Sequence, residues 1–74
     1  MVSTLDHIAL RQVVEIISVD QSPISSKLTE MGLVSGQFIT TLFKAPFGDP
    51  IAIELNGSVL SLRLEEAQFI EVKA

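Results

Sequence analysis

The segment that most restricts the fold is Ile51 to Leu62. Ile51, Ile53 and Leu55 alternate with Ala52 and Glu54, Asn56-Gly57 follows, and Leu60 and Leu62 recur on one face of the returning stretch. A period of two puts successive side chains on opposite faces of a strand. Asn-Gly is the favoured pair for a two-residue hairpin turn, in which both central residues take positive φ. The spacing predicts a tight antiparallel hairpin. With 74 residues in all, the chain forms one domain, residues 1–74, and is too short for two.

The rest of the chain supplies further short elements. Gln12 to Val19 is rich in β-branched residues and reads as a strand; its uneven alternation allows a bulge near Ile16 and Ile17, or burial of both faces. Ser22 as N-cap and Pro23 at the first helical position open a short helix that runs to about Met31, where Gly32 can stop it. Ile24, Leu28 and Met31 form its apolar stripe. Gln37 to Lys44 reads as a strand with two competent faces, Phe38, Thr40 and Leu42 on one and Ile39, Thr41 and Phe43 on the other, so the inward set stays open. Ala45 to Pro50 is a loop. Leu64 to Gln68 makes a turn or one helical turn that holds Glu65, Glu66 and Gln68 near solvent and Ala67 inward, and Phe69 to Lys73 is the last strand. Leu5, Ile8 and Leu10 form a short turn that plugs one end of the core, with Thr4 available as its cap. The expected fold is mainly β: a small SH3-like barrel of about five strands with one short helix inserted after the first. An OB-like barrel is the nearest competitor.

Composition removes several classes of function. Five Lys and Arg against nine Asp and Glu give a net charge of −4, whereas binding to nucleic acid calls for a surplus of positive charge. Four Phe without Trp or Tyr make a poor aromatic groove for polyproline. There is no cysteine, so disulfides and thiolate metal sites are excluded. His7 is the only histidine and has no orienting acid; Ser25 and Ser26 read as helix-start residues, and adjacent Glu65 and Glu66 point apart. The glycines follow no phosphate-loop order. Glu30 and Asp49 would make at best a weak cation site. No catalytic, cofactor or metal residues are expected. Asp6 interrupts the beginning of the chain, and no stretch reaches about 20 apolar residues. The expected location is the cytoplasm, without direct membrane insertion.

Three blocks carry a family resemblance: Lys27-Leu28-x-x-Met31-Gly32-Leu33-Val34-x-Gly36, then Ala45-Pro46-Phe47-Gly48-Asp49-Pro50-Ile51, then Leu60-x-Leu62-Arg63-x-x-x-Ala67-x-x-Ile70-x-Val72. In order and spacing they resemble FeoA, the small cytoplasmic accessory protein of bacterial ferrous-iron uptake, from about Leu5 to Val72. The resemblance implies an SH3-like barrel, no enzymatic activity, and association with the FeoB membrane transporter or its cytoplasmic G-protein domain. That partner would recruit the chain to the inner face of the membrane. The same fold ends iron-dependent repressors, so an adaptor or regulatory domain that binds another protein is the alternative. A nucleic-acid binder fits the charge poorly, and an iron carrier meets the shortage of ligands. One departure is Leu10-Arg11, where the family has a Pro-Gly type pair; neither residue suits positive φ, so another form of turn is expected there.

Docking would use exposed apolar surface. The candidate partner-binding residues are Ile24, Met31 and Val34 on the helix and its following turn, Phe43 on the two-faced strand, and Phe47 and Asp49 in the loop from Lys44 to Pro50. Phe47 either folds back over the barrel as a lid or stands out as an aromatic anchor. Were Ile39 and Phe43 both to face outward, another chain would have to cover them, which makes self-association a further expectation.

Overall fold

A computed structural model describes residues 2–20 and 25–74. The elements run β1 (Val2–Thr4), a 3-10 turn (Leu5–His7), β2 (Val13–Val19), α1 (Ser25–Glu30), β3 (Phe38–Lys44), β4 (Ile51–Leu55), β5 (Ser58–Leu62), α2 (Leu64–Ala67) and β6 (Ile70–Lys73). The strands form one antiparallel sheet in the order β1-β6-β2-β3-β4-β5. The expected SH3-like barrel of about five strands is therefore corrected. Among the described residues there are six strands and two short helices, and β1 and β5 are unpaired edges of an open sheet. The helix expected after the first strand follows the second. The missed strand is β1, which is three residues long and lacks an apolar period of its own; its pairing with β6 defines it.

The sheet curls instead of closing, and two irregularities help it to do so. One extra residue lies between Ile16 and Ser18 opposite β6, at the place where the alternation falters. A second lies between Thr41 and Phe43 opposite β4. Each bulge bends its strand and increases local twist. Inside the curl pack Val14, Ile16, Ile39, Ile51, Ile53, Leu55, Leu62, Ile70 and Val72. The same core takes in Leu5 from the 3-10 turn, Leu28 from α1, and Ala67 from α2. Leu5 is buried as expected, whereas Leu10 lies exposed and Thr4 makes no side-chain cap. Thr41 is also buried, and its hydroxyl has no partner among the described residues.

Turn chemistry sets the frame. Asn56 and Gly57 take φ of 52° and 84°, the turn that the hairpin demands. Helix α1 ends at Gly32, whose φ is 92°. The Gly32 N–H donates to the Thr29 carbonyl at 2.9 Å and the Leu33 N–H to the Leu28 carbonyl at 3.1 Å, closing a Schellman motif. The buried side chains of Leu28 and Leu33 supply the hydrophobic contact that accompanies it. The helix-opening residues Ser22 and Pro23 lie outside the described residues. At Leu10-Arg11 the expectation fails: Arg11 does take positive φ, 70°. Its N–H reaches the Thr41 carbonyl at 2.6 Å, a sheet contact that holds the unfavourable backbone in place.

Glu66 also departs from expectation, being 6% exposed rather than solvated. It joins two helices. One carboxylate oxygen accepts from the Lys27 ammonium of α1 at 2.6 Å, and the other accepts from the Arg63 N–H at the start of α2 at 2.9 Å. Adjacent carboxylates point apart, as the sequence implies, but the burial of Ala67 turns Glu66 inward with it. The Lys27 hydrogen bond, then the Arg63 N–H, holds the Glu66 carboxyl below its ordinary pKa against the opposing effect of burial. A carboxyl lowered in the folded state stabilises it fully above the unfolded value, about 4.3, and loses that contribution as pH falls through and below it. Glu66→Gln, which keeps an acceptor for Arg63, should cost about 1 kcal/mol at pH 7, since Lys27 is largely solvated. The gap between variant and wild-type melting temperatures should close between about pH 5 and pH 3. Thermal melts across that range check it; a gap that is constant with pH would refute the assignment.

Candidate partner-binding surface

The second bulge decides which aromatic side chains face out. Ile39 and Thr41 point inward from β3, each 1% exposed. The extra residue then interrupts the alternation, and Phe43 lands opposite Ala52 on the outer face, 57% exposed. The expectation that Ile39 and Phe43 share a face is thus corrected by an insertion that no periodicity announces. Phe38 is outward as well. Beside Phe43 lies a shallow groove of about 270 Å³, lined by Ala45, Pro50, Ala52, Val59, Leu60 and Ser61 among others. Val59 and Leu60 went unnoticed as surface candidates because they read as ordinary hairpin residues.

The loop after β3 is held at three points. The Gly48 N–H donates to the Ala45 carbonyl at 2.7 Å, the Ala45 N–H to the Pro50 carbonyl at 3.0 Å, and the Leu64 N–H of α2 to an Asp49 carboxylate oxygen at 3.1 Å. Pro50 follows a cis peptide bond. From this frame Phe47 projects with 99% of its surface exposed, so it does not fold back as a lid. Asp49 is the loop's tie to α2.

The five described candidates do not form one patch. Phe43, Phe47 and Asp49 gather at the end of β3 that leads into the loop. Val34 lies beyond the other end, where its carbonyl accepts from the Gln37 N–H before β3 begins. Seven residues of strand, about 23 Å, separate the two groups. Val34 is partly exposed, and Met31 packs against the core margin. Ile24 lies outside the described residues.

Among the described residues no three His, Asp or Glu side chains come together to hold a metal ion. His7, expected to lack an orienting acid, lies 3.3 Å from the carboxylate of neighbouring Asp6. No helix among the described residues is long and apolar enough to cross a membrane.

The FeoA domain family model matches residues 3–74. The chain belongs to the FeoA family. Solved structures agree. The FeoA-like protein of Clostridium acetobutylicum is 39% identical with a TM-score of 0.90, over 96% of this chain and 84% of that one. The FeoA protein of Chlorobium tepidum is 35% identical with a TM-score of 0.85, over 95% and 68%. Iron(II) transport protein A of Clostridium thermocellum is 30% identical with a TM-score of 0.90, over 97% of this chain and 45% of that longer one. No curated protein matches. As a FeoA-family member the chain is a non-enzymatic, cytoplasmic accessory protein of ferrous-iron uptake, and membership implies interaction with FeoB-type transporters.

Proposed function

We propose that this FeoA-family chain acts in ferrous-iron uptake by docking on a FeoB-type transporter through the loop that carries Phe47, with Phe43 and the adjoining groove as the rest of the footprint. The observation that carries the reading is Phe47, an aromatic with no part in the core, held out by a loop tied to itself and to α2. Aromatic side chains are enriched among the few residues that dominate binding. A loop ordered beforehand loses less conformational entropy on binding than a floppy one. The exposed apolar groove beside it extends the contact without introducing charge.

The partner's cytoplasmic G-protein domain is the soluble surface on which such a contact would fall. Co-purification with whole transporter and with the isolated G-protein domain tests this. The expected result is recovery of both. Recovery of the whole transporter alone would move the contact to another part of it, and recovery of neither would sink the proposal.

A further inference from the structure

The β5 edge carries none of the usual protections. Among the described residues it has a neighbour on one side only. Strand edges are ordinarily guarded by charge, proline, a bulge or extreme shortness. Ser58–Leu62 has no charged residue and no proline, and it pairs without a break along β4. The two-residue Asn56-Gly57 turn makes Leu55 and Ser58 the closing pair, which is hydrogen-bonded in such hairpins. Hydrogen-bonded and non-bonded pairs alternate from there. Ser58, Leu60 and Leu62 therefore turn their main-chain groups toward β4, while Val59 and Ser61 turn theirs to the open side.

We propose that β5 pairs with β5 of a second copy, antiparallel about a two-fold axis at Leu60, in a weak and reversible dimer. About that axis Val59 of one copy opposes Ser61 of the other. These are the residues with free main-chain groups, so each pair exchanges both N–H···O bonds. A shift of one residue would set free groups against groups already committed to β4. A shift of two would leave one residue of each strand facing past the partner's end.

Side chains and charge agree with the same register. Val59, 62% exposed, and the apolar groove beside it reach the seam, so the pairing joins the grooves of both copies. Arg63 keeps extended backbone, φ −71° and ψ 148°, which carries the alternation onward and puts it on the face of Val59 and Ser61. It falls opposite Gly57 of the second copy. That residue's missing side chain leaves the corner open next to Glu54, the cross-strand neighbour of Val59. Opposite charges thus approach at both ends of the seam. An edge of five residues spans only about 17 Å and buries less than the roughly 800 Å² per partner of a standard interface. That area sets the dimer as weak, half-formed only near millimolar concentration.

Dilution from about 1 mM to about 20 µM, followed by sedimentation and by backbone amide shifts, tests the pairing. The expected result is a monomer–dimer equilibrium. Shift changes and amide protection should be centred on Val59 and Ser61. Val59→Lys, at an exposed position, should stay folded and weaken self-association at least about tenfold by placing charge on the edge. Phe47→Ala should leave it unchanged, which separates this dimer from transporter docking. A protein that stays monomeric at 1 mM overturns the proposal, and so does a dimer indifferent to Val59→Lys. Protection of Val59 and Ser61 that appears only with a different protein would assign the edge to that partner and overturn it too.

Discussion

Phe47→Ala should weaken binding to the FeoB-type transporter at least about thirtyfold, equivalent to about 2 kcal/mol, while the thermal midpoint stays within the range of an ordinary surface change. Both halves follow from one geometric fact. The ring is 99% exposed, so the folded monomer loses no packing when it is removed. The loop keeps its shape, because its ties run through the main chain of Ala45, Gly48 and Pro50 and through the Asp49 carboxylate. Whatever the substitution costs in binding is therefore the ring's own contact with the partner. Titration of immobilised transporter, with melting curves recorded in parallel, measures the two effects separately. An unchanged affinity in a folded variant would remove the loop from the footprint.

Leu28→Ala should have the largest effect on stability, a loss of about 3 kcal/mol. Leu28 is the one buried side chain of α1, with 0% exposure, and six residues of helix depend on it for their attachment to the sheet. A helix of this length has no stability of its own in water. The Lys27–Glu66 pair remains in the variant, but Lys27 is mostly solvated and holds weakly. A domain of 74 residues has only about 4–11 kcal/mol in all. The midpoint should fall by about 15 °C, and amide exchange across Ser25–Glu30 should accelerate before that of β3 and β4. A midpoint shift under 3 °C would show that α1 is held by something other than this side chain.

The hairpin was the most legible part of the sequence, because Asn56-Gly57 and strict alternation act within a few residues of each other. The stop at Gly32 was legible for the same reason: the cap is local. What escaped depends on distant partners. β1 is a strand because β6 lies beside it, and three residues contain no period to betray that. The burial of Glu66 needs Lys27, thirty-nine positions away. Arg11 takes positive φ because the Thr41 carbonyl is there to receive its N–H. Closure into a barrel depends on whether the two edge strands meet, and edges are the last thing a sequence specifies.

Of the candidate surface, the aromatic in a proline-flanked loop could be read directly, but its exposure could not. Asp49 looked like a contact residue and serves as a tie, since nothing local forecasts that α2 will begin beside it. Val34 and Met31 belong to a separate surface, the helix and its following turn, and the length of β3 lies between that surface and the loop.

A strand works as a parity code, in which odd and even positions belong to opposite sides of a wall. The additional residue at Leu42 is a one-letter frameshift in that code. Every position before it keeps its side, and Phe43 after it is read in the other frame. The outward aromatic and the apolar floor beside it thus exist by virtue of an insertion, with no change of residue type required. Were Leu42 to pair in register opposite Ala52, Phe43 would fall one step on, opposite buried Ile51, and the ring would pass from the outside of the wall to the inside.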